Sequence, residues 1–518
     1  MQQTPIKNAT GPAYGRQVFK LIALLSAFRL LLAFVLELGN DEAYYWLYSL
    51  DLAWNYFDHP PLVALWIRLF TLNGLLDSEG FLRLGAVVSC AMATWFMYRA
   101  VALMAGERAG WFAAVLYNAS FYAGLTAGLY IMPDSPQMVF WTLSLWAIAR
   151  ITINEKDTFA WLLFGGAAGL CIMSKVHGAF LWIGLGSYML LFRRRLLSDF
   201  RPYMAALLTA LLISPILFWN IEHDFITYRF HSQRVTVGKQ EMKALSFLKE
   251  LFSQLGFNNP LNVLMIVAGS LYWRRHKMGR YKALAVFNLV AWPMAGLLLF
   301  VSLFRNSTLP HWSGPAYVSL LPLAAIWLNK VRPASVMPGL LRGTLGVFML
   351  VLCAWGIVVN FYPGTFGSRE KSSYGYGDLT TDMYGWKEAG KVFGDFYRQE
   401  VKEGRTSPGT PLICGYWWGA HVEYYFARPL DIPVIGLGPV NHVHHYQWTN
   451  TFRAEKADMN KAYCIIPSDE VFTRRSKFEQ YYSRMDQVNQ IEIKRSGGTL
   501  HYFNVYKLSG WKGEVPKQ

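Results

Sequence analysis

The sequence predicts an α-helical membrane protein that crosses the membrane many times and ends in a soluble α/β domain. Hydrophobic residues make up 53% of the 518 residues, and the mean hydropathy of +0.21 is too high for a soluble protein of this length. The apolar residues are concentrated in runs that can cross a bilayer, and the last of these runs ends before residue 364. We therefore expect a transmembrane domain over residues 1–364 and a soluble α/β domain over residues 365–518.

The apolar runs indicate about eleven transmembrane helices. A helix needs about 20 mainly apolar residues to cross the hydrocarbon core. The runs that meet or approach this length cover residues 18–38, 82–104, 110–131, 136–152, 159–174, 178–192, 202–219, 256–273, 283–304, 312–329 and 340–361. The sequence shows no internal repeat, which counts against an inverted-repeat transporter.

The distribution of basic residues predicts the orientation of these helices. Cytoplasmic loops of membrane proteins are enriched in Lys and Arg. Alternate loops of this chain are strongly basic, among them those with Arg193–Arg195 and Arg274–Arg275, whereas the loops between them are not. The pattern places the N-terminus in the cytoplasm, and the loops 39–80 and 220–255 and the C-terminal domain on the outer side. The net charge of +16 then reflects contact with anionic membrane lipids, and no nucleic-acid partner is expected.

The C-terminal part alternates apolar, strand-like runs with helix-like stretches. Strand-like runs occur at 412–416, 432–435 and 463–467, and a late hairpin is predicted around Gly497-Gly498. No Gly-rich loop precedes a helix in the manner of a dinucleotide site. Cys414 and Cys464 lie in two of the strand-like runs, where we expect buried free thiols, although the outer location also permits a disulfide.

The loop after the first predicted span carries the most informative residues. It contains Asp41-Glu42-Ala43-Tyr44-Tyr45-Trp46 and then Tyr56-Phe57-Asp58-His59-Pro60-Pro61. Carboxylates are costly in lipid, so we expect this loop at the outer membrane surface. Adjacent helical residues point about 100° apart, so one of Asp41 and Glu42 can act as a base while the other orients a partner or binds a metal. The alternative is that the pair only caps the following helix, but Asp58 beside His59 in the same loop favours chemistry.

Further polar residues are predicted to reach the same face of the membrane. Asp134 lies between two prolines, where it either positions a substrate or forms a turn. Arg and Lys side chains are the usual ligands of phosphate groups. The candidates for a phosphate site are His59, Lys175, Arg229, Arg234, Arg305 and His311. Asp58 is also a candidate ligand of a divalent metal, although Asp58 and His59 alone are two ligands short of such a site.

Three classes of function fit these features. Acids for proton abstraction and bases for phosphate, all at one lipid boundary, favour an enzyme that transfers a group from a lipid phosphate. A membrane transporter or lipid flippase explains the spans equally well, but it predicts charges in the middle of several spans and a repeat. A binding or sensing protein would use the C-terminal domain as its ligand domain and leave the loop acids without a role. The crowding of the polar residues at one interface favours the enzyme.

The motifs resemble those of the GT-C fold glycosyltransferases that use lipid-phosphate-linked sugars, in the branch of the bacterial aminoarabinose lipid A transferases and the protein O-mannosyltransferases. The resemblance rests on the two loop motifs above and on Pro133-Asp134-Ser135-Pro136, Ser174-Lys175, Trp219-Asn220, Phe230-His231-Ser232-Gln233-Arg234, Leu309-Pro310-His311-Trp312 and Tyr384-Gly385-Trp386. It implies a periplasm-facing site in a bacterial inner membrane and an inverting mechanism. It also implies an undecaprenyl-phosphate-linked sugar as donor and a lipid, glycan or protein acceptor such as lipid A.

The resemblance assigns the role of catalytic base to Asp41. Glu42 is a second candidate catalytic carboxylate, and the candidates for positioning the substrate are Tyr44, Asp58, Asp134 and Trp312.

The chain departs from the aminoarabinose transferases at Asp58-His59. That subgroup has Glu-Lys before the double proline, where the Glu helps to hold a metal and the Lys contacts the lipid phosphate. His59 can replace this Lys only when it is protonated, or by donating a neutral hydrogen bond. The departure makes the chain similar to the broad bacterial branch of unassigned sugar specificity.

Overall fold

The computed structural model describes residues 14–235, 242–276, 281–305, 310–454, 457–470 and 476–513. Up to residue 361 these residues are almost entirely helical. The helices are α1 (Tyr14–Val35), α2 (Asn40–Leu50), α3 (Leu62–Phe70), α4 (Glu79–Ala105), α5 (Glu107–Ala119), α6 (Asp134–Ile153), α7 (Thr158–Ser174), α8 (Ala179–Phe192), α9 (Phe200–Glu222), α10 (Ile226–Val235), α11 (Ala244–Phe257), α12 (Pro260–Arg275), α13 (Lys282–Ser302), α14 (Gly314–Val331) and α15 (Gly339–Phe361). A π-helical turn, Tyr122–Thr126, follows α5.

Within the described residues, eleven of these helices coincide with the predicted spans. They are α1, α4 to α9 and α12 to α15. Five of them, α1, α4, α9, α13 and α15, are long and apolar enough by themselves to cross a membrane, and the others are shorter or less apolar. Leu24, Leu31 and Leu350 on the long helices are largely exposed, as side chains that face lipid are. The predicted multi-pass membrane fold is thus confirmed.

Four junctions between the long helices carry polar residues of the predicted site. They are the segments that join α1 to α4, α5 to α6, α7 to α8 and α9 to α12. The backbone amide of Ile131, in the second junction, donates to Glu42 in the first at 3.0 Å. Lys175, in the third junction, lies 2.8 Å from Asp134 at the start of α6. These contacts bring the polar residues of the separate loops together.

The C-terminal part forms a mixed sheet with helices packed against it. Within the described residues the sheet has five strands in the order β2-β1-β3-β5-β4, with β1 parallel to β2 and β3 and the other pairs antiparallel. The strands are β1 (Leu412–Cys414), β2 (Val434–Gly436), β3 (Lys461–Pro467), β4 (Tyr482–Arg495) and β5 (Gly498–Trp511). The helices are α16 (Trp386–Lys402), α17 (Tyr416–Val422), α18 (Val440–Val443), α19 (Tyr446–Arg453) and α20 (Ser476–Glu479). This is the predicted small α/β domain.

The predicted hairpin is formed by β4 and β5. Its two turn residues, Ser496 and Gly497, have φ angles of 47° and 81°. Positive φ at both central residues matches the right-handed twist of the strands, and Gly adopts it without steric cost. Cys414 and Cys464 lie in neighbouring strands and are both buried free thiols.

The C-terminal domain packs directly on the first junction of the bundle. Side chains of α2 share one buried apolar cluster with the core of the C-terminal sheet. The rings of Trp46 on α2 and Tyr424 after α17 meet edge to face, with centroids 4.9 Å apart. The catalytic loop predicted from the sequence is therefore enclosed between the bundle and the outer domain.

Candidate active site

Asp41 lies in the first turn of α2, where the chain leaves α1. Its carboxylate is half-buried, and no described residue forms a hydrogen bond or an ion pair with it. It lines a cavity of about 140 Å³ together with Tyr130, Met132 and Trp417. Burial, together with the negative charge of neighbouring carboxylates, raises the pKa of Asp41 to about 6. Asp41 is thus a carboxylate that is accessible to a ligand and poised to take up a proton near neutral pH.

Glu42, the neighbour of Asp41, is fully engaged by hydrogen-bond donors. The Arg83 guanidinium donates to Oε1 at 2.8 Å and to Oε2 at 2.5 Å. The backbone amide of Ile131 donates to Oε1 at 3.0 Å, and that of Gly39 donates to Oε2 at 2.9 Å. A carboxylate offers about four acceptor positions, and these donors fill them. The geometry thus shows Glu42 holding the start of α2 through these four hydrogen bonds, and its role as a second catalytic carboxylate stays a prediction.

Arg83, at the start of α4, is a site residue that the sequence analysis did not single out. It is fully buried and also donates to the backbone carbonyls of Ala33, Leu36 and Glu37, at 3.1, 2.6 and 2.7 Å. Arg83 thereby ties the end of α1 to the start of α2 through Glu42. The signal in the sequence is a lone arginine at the outer end of a predicted span, where a charge without a partner is costly.

Asp134 and Lys175 form a buried ion pair beside Asp41. Lys175 Nζ lies 2.8 Å from Oδ2 and 3.0 Å from Oδ1 of Asp134. Tyr122, the first residue of the π-helical turn, donates its hydroxyl to Asp134 Oδ1 at 2.7 Å. Asp134 thus positions Lys175 and offsets its charge. Lys175 has three donors, and no other described residue accepts a hydrogen bond from it, so one donor remains for a ligand.

Asp58 is the centre of a cluster of hydroxyl and imidazole groups. Its Oδ1 accepts hydrogen bonds from the hydroxyls of Tyr44, at 3.4 Å, and of Tyr48. Its Oδ2 lies 3.9 Å from Nδ1 of His444 in the C-terminal domain. His231 Nε2 on α10 donates to the Asp58 carbonyl at 2.6 Å. Burial opposes the ionisation of Asp58, but the neighbouring histidines and the Tyr48 hydroxyl hold its pKa below the usual range.

His59 and His311 are neutral at pH 7. Burial lowers the pKa of His59 to about 3 and that of His311 to about 4, and the charge of Lys175 acts in the same direction. A neutral imidazole donates one hydrogen bond and carries no charge. Of the two alternatives for His59, the structure therefore favours the neutral hydrogen bond. Trp312, next to His311, packs edge to face on the His177 ring with centroids 5.5 Å apart.

The predicted arginines lie at the edge of this group of residues. Arg229 is on α10, the helix that His231 attaches to Asp58, and its exposed side chain has no partner among the described residues. Arg305, after α13, donates to the carbonyl of Gln233 on α10 at 2.6 Å. Arg234 lies near the end of α10, but its side chain is outside the described residues.

The C-terminal domain holds the segment that leads into α2. The Leu38 amide donates to the Tyr425 hydroxyl at 2.8 Å, and the Leu38 carbonyl accepts a hydrogen bond from His421 Nε2 at 2.7 Å. The Asn40 amide donates to Asp382 Oδ1 at 3.0 Å. Asp382 is 342 residues from Asn40 along the chain, so no local sequence pattern predicts this contact.

Asp58 was also a candidate metal ligand. In the described part of the chain, no group of three or more His, Cys, Asp or Glu side chains is arranged to hold a metal ion. Asp58 instead accepts hydrogen bonds from tyrosines.

Part of this chain matches a known family in sequence. Residues 58–219 match the family of dolichyl-phosphate-mannose-protein mannosyltransferases. The lipid A galacturonosyltransferase RgtD of Rhizobium johnstonii is 25% identical over 299 residues, which are 56% of this chain. The match spans 60% of the length of that curated relative.

Solved structures share the fold over nearly the whole chain. ArnT from Cupriavidus metallidurans in its apo state superposes with a TM-score of 0.58 at 14% identity, over 96% of this chain and 100% of ArnT. The same protein bound to undecaprenyl phosphate gives a TM-score of 0.57 with the same identity and coverage. The predicted resemblance is thereby confirmed: the chain is a multi-pass membrane protein with the GT-C fold of ArnT, related in sequence to the protein mannosyltransferase family and to a lipid A galacturonosyltransferase.

Proposed function

We propose that this chain is an inverting membrane glycosyltransferase that moves a sugar from an undecaprenyl-phosphate donor to a lipid A, glycan or protein acceptor. The observation that carries the proposal is the Asp41 carboxylate, which no described residue engages, which lines a cavity, and whose pKa responds to the charges of the Asp134–Lys175 pair. The ArnT structure with undecaprenyl phosphate and the lipid A galacturonosyltransferase relative support this choice of donor and acceptor.

Asp41 acts as the general base of the transfer. It takes the proton of an acceptor hydroxyl while the hydroxyl oxygen attacks the anomeric carbon of the donor sugar. The new bond joins the acceptor oxygen to this carbon, and the bond from the carbon to the phosphate oxygen breaks. The electron pair leaves with the phosphate, which is a good leaving group and needs no strong general acid. Attack opposite the leaving phosphate inverts the anomeric centre.

The donor phosphate is held by two kinds of group. The neutral His59 and His311 supply hydrogen bonds. Lys175 also supplies a hydrogen bond, but it adds no net charge because Asp134 offsets it. Net positive charge comes from arginines at the edge of the site. The planar guanidinium group of Arg can donate two parallel hydrogen bonds to a phosphate. The arginines that would supply this charge are Arg229, Arg234 and Arg305.

The donor class can be tested with the purified protein in lipid. We expect transfer from undecaprenyl-phosphate-linked sugars and none from nucleotide sugars. Arg229→Ala should weaken donor use by about 1.5–3 kcal/mol, the scale of a hydrogen bond to a charged group. The matched control is Arg274→Ala, at the opposite end of the bundle in the last turn of α12, which should leave donor use unchanged. Use of a nucleotide sugar without a lipid carrier would overturn the proposal, and movement of the intact donor across the membrane without transfer would favour a flippase.

We further propose that residues 1–364 form the catalytic membrane domain in a bacterial inner membrane, and that the site and the domain over 365–518 face the periplasm. The basic loops support this orientation. A reporter enzyme that is active only in the periplasm should be active when it is fused after Gln518. A reporter that is active only in the cytoplasm should be active when it is fused after Arg195. The reverse result at either position would contradict the proposed orientation.

Activity should depend on the ionisation of Asp41. Because its pKa is raised to about 6, the acceptor-dependent kcat/KM should rise tenfold per pH unit below this value and level off near neutral pH. Asp58→Asn removes a negative charge that raises this pKa, so the inflection should move to lower pH. The exposed Asp395→Asn is the control and should leave the inflection in place. An inflection near pH 4 in the wild type, the ordinary range of an Asp carboxyl, would contradict the raised pKa of Asp41.

A further inference from the structure

The cavity at Asp41 continues into the C-terminal domain. A second cavity of about 230 Å³ shares Asn40, Asp382 and Trp417 with the first. Its far side is formed by residues of the C-terminal domain, including Trp418. We call the combined space the outer cleft. It runs from the proposed base to the surface of the outer domain, which is the side from which an acceptor can arrive without crossing the bundle.

The lining of the outer cleft combines indole rings with carboxyl groups. Trp417 lines both parts, and 53% of its surface is exposed. Asp41 follows Asn40 in the chain, Asp382 accepts a hydrogen bond from the Asn40 amide, and Asp469 lines the second cavity. None of the described residues that line the cleft is a Lys, Arg or His. The described lining of the cleft therefore offers flat apolar surface and hydrogen-bonding oxygens.

The two carboxyl groups beside Asn40 differ in protonation. Burial, and then the charges of Asp41 and Glu42, raise the pKa of Asp382 to about 8, whereas that of Asp41 is raised to about 6. At pH 7 Asp382 therefore carries a proton that it can donate, while Asp41 accepts one. A hydroxyl group is both a donor and an acceptor, so it can bridge such a pair.

We propose that the outer cleft binds an uncharged, hydroxyl-bearing sugar ring of the acceptor, with the ring stacked on Trp417 and its reacting hydroxyl positioned between Asp382 and Asp41. This inference rests on the proposed function and specifies its acceptor. A phosphate in the cleft would place a negative charge beside the Asp41 carboxylate, where it is repelled. The acceptor atom is therefore a sugar hydroxyl and not a phosphate oxygen.

Binding can be measured without turnover. The probes are the methyl glycoside of N-acetylglucosamine, which is neutral, and N-acetylglucosamine 1-phosphate, with saturation-transfer NMR on the full-length protein in nanodiscs without donor. The neutral glycoside should bind the wild type, and Trp417→Ala should weaken it about twofold to tenfold, the scale of an aromatic contact. Trp54→Ala is the matched control, because Trp54 is exposed in the same region but lines neither cavity.

The outcomes separate this inference from the proposed function. Equal or tighter binding of the phosphorylated sugar, no binding of either sugar, or no effect of Trp417→Ala would overturn the inference. Sugar binding that depends on Trp417, in a protein that transfers nothing from an undecaprenyl-phosphate sugar, would support the cleft and reject the proposed function.

Asp382 can be tested as a positioning residue by its pH profile. In Asp382→Asn, the side-chain oxygen can still accept the hydrogen bond from the Asn40 backbone amide. The side-chain NH2 group donates a hydrogen bond at every pH. The acceptor kcat/KM of the wild type should therefore fall above about pH 8 as Asp382 ionises, and Asp382→Asn should remove this fall at high pH. Asp382→Ala should lose activity at every pH with donor affinity unchanged. Equal losses in both variants, or an unaltered fall above pH 8 in Asp382→Asn, would reject the role.

Discussion

Asp41→Asn should reduce sugar transfer to at most about a thousandth of the wild-type rate, because it removes the general base while keeping the shape of the side chain. The measurement is transfer from an undecaprenyl-phosphate sugar by protein purified from the membrane. Asp51→Asn, at the other end of the same helix, is the matched control and should keep normal activity. Near-normal transfer by Asp41→Asn would remove Asp41 from the role of base.

The same substitution should not weaken the fold. No described residue forms a hydrogen bond or ion pair with the Asp41 carboxylate, and its raised pKa shows that the site disfavours its charge. The thermal midpoint of Asp41→Asn should therefore equal or exceed that of the wild type. Such a gain in stability with a loss of function is typical of residues that are selected for chemistry.

The second large effect is expected at Arg83. Arg83→Met would leave the Glu42 carboxylate buried without its bidentate partner, and breaking a buried ion pair costs about 3–5 kcal/mol of stability. Thermal unfolding in a fixed detergent should show a large drop in the midpoint. Arg99→Met, an exposed position on the same helix, is the control and should change the midpoint little.

A double variant separates the charge from the packing. Replacing both partners, as in Glu42→Leu with Arg83→Met, leaves no unpaired charge, so the double variant should be more stable than Arg83→Met alone. Its transfer activity should nevertheless stay low, because Glu42 no longer holds the Gly39 and Ile131 amides at the start of α2. If the double variant is as unstable as Arg83→Met, the unpaired carboxylate is not the cause.

The membrane helices were predictable because lipid imposes one solution on the chain. A segment inside a bilayer must pair its own backbone N–H and C=O groups in hydrogen bonds. Length and hydropathy alone therefore predicted the spanning helices, from Tyr14–Val35 to Gly339–Phe361. The late hairpin was predictable for a similar local reason, since its turn needs residues that accept positive φ. The π-helical turn that carries Tyr122 had no such signal, because it differs from an α-helix by a single shifted hydrogen bond.

The roles within the site were harder to predict, because they depend on partners that are distant in sequence. Asp41 and Glu42 are chemically alike and adjacent, and only the position of Arg83 distinguishes the engaged carboxylate from the accessible one. The contacts of His444 with Asp58 and of Asp382 with Asn40 join residues that no periodicity connects. The sequence thus predicted which loop carries the candidate residues, and the tertiary contacts show which of their atoms have no described partner.

The hydrogen bonds from the outer domain to Leu38 and Asn40 have a consequence for biosynthesis. Leu38 and Asn40 are synthesised before the residues that hold them, because Asp382, His421 and Tyr425 follow them by 342 to 387 residues along the chain. The start of α2 therefore gains these hydrogen bonds only after that part of the C-terminal domain has been made and has folded onto it. A chain truncated before the C-terminal domain should lack the observed geometry around Asp41.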